Sequence, residues 1–218
     1  MQCGHRPVMA YPPAMVRAMH PTRERLIEVT VDLLDTMPPE DLQVELVLTT
    51  SGISRGSLYH HFEDFHHVIE AALVRRFSWR ADEDIAFLTR ALAESRDQTQ
   101  FRAAMAEVTR GSQAQERRPS RFERVRDLGV AGSNERFRVA LGVEQARLTA
   151  ALADLCREAQ AKGWLRADVD ASAVAVFLQA YTLGRVTDDV SAEPIDPEAW
   201  LALIDLVLGN LLSSEPHA

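Results

Sequence analysis

The sequence holds only two cysteines, Cys3 and Cys156, and a single lysine, Lys162, in 218 residues. Two cysteines cannot build a disulfide framework, which suits a reducing compartment. No apolar run approaches the roughly 18 residues of a membrane span. Residues 1–20 lack the compact apolar stretch of a signal peptide. A cytoplasmic protein without membrane contact is therefore expected. Catalytic motifs are also missing: there is no Gly-x-Ser-x-Gly, no phosphate loop and no metal-ligand spacing. Neither an enzyme nor a cofactor is expected. His60, His61, His66 and His67 lie near Glu63 and Asp64, but no Cys-x-x-Cys or His-Glu-x-x-His accompanies them, and no metal site is assigned. Basic charge is scarce as well. The 24 basic residues face 32 acids, for a net charge of −8. A nucleic-acid binder usually shows a basic face, so any such role must rest on a local patch.

What is present is helical periodicity. Pro7, Pro12, Pro13 and Pro21 preclude a long helix at the start, and residues 1–20 read as a disordered arm. Its alternative role is an arm whose Arg17, Arg23 and Arg25 reach a minor groove or phosphates. A helix is predicted from Thr22, as cap, to about Thr36, with Leu26, Ile27, Thr30, Leu33 and Leu34 as its buried stripe. A second helix is predicted from near Leu42, capped by Asp41. Gly52 breaks it where a left-handed residue is needed. Ile53 fills the turn. Ser54 is placed to cap a third helix through the Ser57 amide. Leu58 and Phe62 face inward together. Arg55, Ser57, Tyr59, His60 and His61 are left outside, and a short exposed helix with arginine, hydroxyls and aromatics suits a nucleic-acid groove. The segment Ser54 to His61 contains no acid.

The run Gly52-Ile53-Ser54-Arg55-Gly56-Ser57-Leu58-Tyr59-His60-His61-Phe62 resembles the signature of the tetracycline-repressor (TetR) family of bacterial regulators, usually Gly-Val-Ser-Lys-Gly-Ser/Thr-Leu-Tyr-x-His-Phe. The resemblance implies an all-α fold. A three-helix helix-turn-helix head, residues 21–66, would precede a larger helical ligand-binding and dimerisation domain, residues 67–218. It implies a DNA-binding regulator, a repressor of a palindromic operator, released by a small effector. Ser54, Arg55, Gly56, Ser57, Tyr59, His60 and His61 are the expected DNA contacts, with Gln43 and Arg23 beside them. Two positions depart from the pattern. The family usually has Ser or Thr at Gln43 and lysine at Phe65, each touching a phosphate. Glu45 either points to solvent or accepts a proton from a cytosine amino group.

Beyond residue 64 the chain reads as successive amphipathic helices. One starts at Asp64 and runs at least to Trp79; Ile85 to Ala93 either continues it or stands alone. Residues 110–126 hold six arginines against two acids. Such a run is usually a solvated face; pairing with acids of the N-terminal domain, or an entrance for an anionic ligand such as an acyl thioester, are the alternatives. A break is expected at Gly129 to Gly132, with Ser133 capping the next helix. Gly163 and Asp170 mark the following stop and start. Gly184 is expected to admit a close helix. Asp196, Pro197 and Glu198 open the last helix. Phe87, Phe101, Met105, Phe122, Phe137, Phe177 and Tyr181 are the candidate walls of a ligand pocket. Few ionisable residues fall on the apolar faces, so a largely hydrophobic effector is expected. Val174, Leu201, Ile204, Leu208 and Leu211 are the candidate dimer interface. One short helix with one arginine discriminates poorly, and a two-fold homodimer on double-stranded DNA roughly doubles the recognition energy. A ligand-independent DNA-binding or partner-binding helical protein is the other reading.

Overall fold

The computed structural model describes residues 20–212. The arm expected at residues 1–20, with Arg17 and Cys3, thus lies outside the described residues except for His20. Among the described residues all regular structure is helical. The chain forms two compact units that divide between Ala72 and Leu73.

In the first unit, helix α1 (Pro21–Leu34) begins on a proline, whose missing N–H costs nothing there. The cap is His20, not Thr22: its Nδ1 accepts the Thr22 amide at 3.3 Å. Val29 and Val31 are buried alongside Leu26, Ile27, Thr30 and Leu34, while Leu33 is only half-buried. The buried face is wider than the expected stripe because both α2 (Val44–Ser51) and α3 (Arg55–His61) pack on α1. Thr30 is accommodated at this interface by donating its hydroxyl to Leu26 O, 2.7 Å. A 3-10 turn over Pro39–Asp41 takes up the chain where a helix start was expected, so α2 begins later, with Gln43 extended at its N-cap.

Helix α4 (Phe65–Glu94) is continuous, so Ile85 to Ala93 belongs to it. The Asp64 carboxylate caps it, accepting the His67 amide at 2.7 Å.

The second unit contains α5 (Gln98–Gln113), α6 (Arg118–Ser133), α7 (Glu135–Ala161), α8 (Ala171–Gly184), the short α9 (Val186–Asp189) and α10 (Pro197–Leu211). Helix α7 packs on α6 and α8, and α10 on α5. Asp97, Asp170 and Asp196 cap α5, α8 and α10 through their carboxylates. The break expected at Gly129 to Gly132 is absent, because neither glycine leaves helical backbone; Asn134 rather than Ser133 caps α7, accepting the Phe137 amide at 3.0 Å. Gly163, at φ 72°, ends α7 in the left-handed conformation that glycine adopts without a Cβ clash. The link after it is tied down by Gln160, which donates to Arg166 O at 2.8 Å and Val169 O at 2.9 Å. Gly184 meets no close helix: a Cβ there would find nothing within 4 Å.

The arginine run is a solvated face only in part: Arg110, Arg117 and Arg118 are exposed, Arg124 and Arg126 are half-buried, and Arg121 is buried. Arg121 is 5% exposed and Asp189 6%. They form a two-pronged pair, Nε to Oδ2 at 2.6 Å and Nη2 to Oδ1 at 2.9 Å. The remaining Arg121 nitrogen donates to Ser112 O and Ala114 O, satisfying carbonyls at the end of α5. Arg118 donates to Asp189 O at 2.5 Å.

Candidate nucleic-acid interface and effector cavity

The turn is set by Gly52, whose φ of 70° is strained for any L side chain. Its amide donates to Leu48 O at 3.0 Å, closing α2. Two residues on, Ser54 Oγ accepts the Ser57 amide at 3.2 Å and opens α3. Leu58 and Phe62, 0% and 2% exposed, pin α3 to the core of the unit. Their burial fixes which side of this short helix faces out. Arg55, Gly56, Tyr59 and His60 are exposed there, and Ser57 and His61 are half-buried. Tyr59 is 46% exposed, a large ring presented to water. A Cβ at Gly56 would meet only Ser54 Oγ, at 4.0 Å, so packing within the protein does not demand glycine there.

The sequence did not reveal the partner of Arg55. Its Nη2 donates to Glu45 Oε1, from the first turn of α2. Glu45 is therefore not simply a solvent-facing acid. Both side chains are more than half exposed, so the pair contributes at most about 1 kcal/mol and is readily exchanged. Arg23 lies over the Phe62 ring, 4.8 Å from its centroid. The His61 ring packs 4.5 Å from that of His20 and 5.1 Å from that of His60. Desolvation, then His20, His60 and Arg23, holds the His61 imidazole below its ordinary value. Gln43 is exposed at the start of α2, and its side chain makes no cap. Phe65 opens α4 without a charge to offer.

The second unit encloses a cavity of about 750 Å³, within the usual range for small-molecule sites. Phe101, Met105, Tyr181 and Phe87 line it. Phe122, Phe137 and Phe177 do not. Phe137 is 0% exposed in the packing of α7, Phe122 lies under the Arg118 guanidinium, and Phe177 is turned outward at 36% exposure. The Tyr181 hydroxyl is 3.1 Å from Thr109 Oγ1. Burial pushes the Tyr181 phenol above its ordinary value. Cys156 is also on the wall, and burial pushes its thiol up to about 11, so it is no thiolate at neutral pH.

The lining is not purely apolar, contrary to expectation. Arg76, Arg80 and Asp84 on α4, with Arg121, Arg124 and Asp127 on α6, form part of the wall. The signal was in the sequence: positions 76, 80 and 84 are spaced four apart and share one helix face.

Among the expected interface residues, Val174, Ile204 and Leu208 are only 6%, 4% and 8% exposed within one protomer. They are consumed in its own core and are replaced as surface candidates by Val176, Phe177, Leu203 and Leu206, which are 54%, 36%, 50% and 65% exposed. Leu201 and Leu211 are half-buried.

No family model matches the chain. A nucleoid occlusion factor, SlmA of Shewanella frigidimarina, is 23% identical over 178 residues, 78% of this chain and 84% of that protein. Among solved structures, Salmonella enterica GusR aligns over 90% of this chain and 98% of its own, with TM-score 0.64 and 25% identity. A Rhodococcus protein assigned to the TetR-family transcriptional regulators covers 88% of this chain and 99% of its own, with TM-score 0.60 and 21% identity. A transcriptional regulator from Saccharomonospora viridis, solved in complex with choline, covers 88% and 97%, with TM-score 0.61 and 18% identity. With its glycine-led turn and capped third helix, this chain has the fold of the TetR-family transcriptional regulators and carries their signature on the exposed helix.

Proposed function

We propose that this protein is a DNA-binding transcriptional regulator that grips a near-palindromic operator as a homodimer and lets go when a small molecule fills its cavity. The observation that carries this reading is the exposed face of α3, where Arg55, Ser57, Tyr59 and His60 stand free of acids on their own helix, behind the Ser54 cap. Arg55 leaves Glu45 for a base edge or a phosphate at little cost. Ser54 and Ser57 contact the backbone, and Tyr59 with the histidines grips phosphates. Gly56 leaves the backbone open to a close phosphate. Gln43 and Arg23 flank this footprint. The protein has no enzymatic role in this reading and acts in the cytoplasm, where operator DNA is accessible.

A two-fold dimer supplies the second half-site. Its surface is the outward face of α8 and α10, with Val176, Phe177, Leu203 and Leu206. The apolar, partly charged cavity supports effector control: a ligand that binds one conformer better shifts the population toward it, and about 1–3 kcal/mol of coupling suffices. Among the described residues no helix is long and apolar enough to cross a membrane.

The test is binding of the purified protein to its own upstream DNA and to scrambled DNA, at about 50 and about 200 mM salt. Specific binding that weakens steeply with salt is expected. Equal, weak binding to both sequences would overturn operator recognition there. Arg55→Ala is expected to abolish specific binding with folding intact. Leu206→Glu is expected to give monomers in sedimentation.

A further inference from the structure

The cavity has two chemically distinct ends. One is a contiguous apolar cluster that includes Phe101, Cys156, Val174 and Leu212, with Met105 and Leu178 packed against it. All six line the cavity. The other end is a charge network on facing stretches of α4 and α6. There Glu123 accepts from Arg80 at 2.8 Å and lies 3.8 Å from Arg76, so one carboxylate serves two guanidinium groups. Arg124 neighbours Asp84, and its guanidinium lies 5.1 Å over the Phe77 ring. Asp127 is 7% exposed, lines the cavity, and its Oδ1 accepts no hydrogen bond among the described residues; Arg126 Nε lies 3.8 Å from that oxygen.

The charge balance at this end is positive. Arg76, Arg80, Arg117, Arg124 and Arg126 face Glu83, Asp84, Glu123 and Asp127, an excess of one positive charge. Arg121 and Asp189 satisfy each other and do not enter the balance. Burial pushes both the Asp84 and the Asp127 carboxyl above their ordinary value, and the neighbouring arginines oppose that push. Arginine stays protonated even when desolvated, so the excess can be relieved only by an anion or by water.

We propose that the effector is an amphipathic anion, an apolar chain or ring system ended by a carboxylate or phosphate, with its tail among Phe101, Met105 and Val174 and its head held by Arg80 and Arg124 beside Asp127. The proposal rests on the reading of this cavity as the effector site. A purely apolar effector would leave the excess positive charge of the wall uncompensated, and a cationic one would add charge of the wrong sign.

The test is isothermal calorimetry on the full protein without DNA, with dodecanoate, dodecyl phosphate, dodecanol and dodecyltrimethylammonium, all below their micellar concentrations. The two anions are expected to bind at least about tenfold more tightly than dodecanol. The tighter of the two identifies the head group. Arg80→Gln, chosen because Arg80 is partly exposed, is expected to weaken the anions about tenfold and leave dodecanol unchanged. Arg124→Gln is expected to do the same, and unchanged dodecanol binding shows that either variant has kept its fold. Tightest binding by the ammonium compound, or equal binding of dodecanoate and dodecanol, would overturn the proposal. Operator binding is measured separately in the DNA assay: anions that bind but never release DNA would uphold the ligand class and refute effector control.

Discussion

The unit that ends at Ala72 and the unit that begins at Leu73 treat charge in opposite ways. The first buries Leu26, Ile27, Val29, Val47, Leu58 and Phe62 and, apart from Glu70, keeps its ionised groups at the surface. The second buries Arg76, Arg121, Asp127, Arg185 and Asp189. Burying a charge is costly unless it is paired. A head whose task is to hold one rigid helix against DNA does best with apolar packing, which has no competing arrangement. A body that answers a ligand needs a wall whose energy depends on what is inside it. The difference teaches where stability and where responsiveness are placed in this chain.

The comparison breaks most sharply at Arg121. Arg121→Ala leaves Asp189 buried without its partner and is expected to destabilise the protein by about 3–5 kcal/mol in urea unfolding. The double replacement Arg121→Met, Asp189→Leu is expected to recover most of this, because an apolar pair removes the uncompensated charge. Failure of that rescue would mean that the two groups are held for a reason other than mutual neutralisation. In the head, Leu58→Ala opens a cavity under α3 and is expected to cost about 2–5 kcal/mol. Its signature is lost DNA binding with the body still folded by circular dichroism. Ser54→Ala is smaller, about 1 kcal/mol for the lost cap, and is expected to weaken DNA binding more than it lowers the thermal midpoint.

A pH series sharpens the comparison further. The Asp84 and Asp127 carboxyls sit above their ordinary value of 3.8 when folded. The folded state therefore holds their protons to higher pH than the unfolded state does. The stability each contributes is complete below the ordinary value and is lost as pH rises through the folded one. Asp127→Asn, an uncharged side chain of nearly the same shape, is expected to raise the thermal midpoint at neutral pH, with the gain vanishing in acid. An equal gain at all pH values would show that packing rather than ionisation is responsible.

How far the sequence could be read follows the same division. In the head the turn is written in local chemistry: Gly52 must take positive φ, Ser54 must cap, and Leu58 with Phe62 must face inward. Each of these is decided within a few residues, and each stands in the structure. Where the head surprised, longer contacts decided. His20 displaced Thr22 as cap, Val29 and Val31 were buried by two helices at once, and Glu45 found Arg55 ten positions away. In the body, helix order was legible and wall composition was not. Phe137 and Phe177 have the same periodic spacing as true lining residues, yet one is sealed in the core and the other faces out. Only the packing of α6, α7 and α8 separates them. Within the arginine run, Arg121 misled because an exposed arginine and a buried, paired one share the same composition; the acid that neutralises it lies 68 positions away.

One wall residue also turns the protein into its own clock. Cys156 is the free cysteine among the described residues, and its thiol, pushed up to about 11, is inert while the wall is closed. A thiol-directed reagent can mark it only during moments of opening, so the labelling rate counts how often the cavity breathes. The same count taken with the cavity filled would time the interval between visits of a ligand, with no dye, no tag and no DNA in the tube.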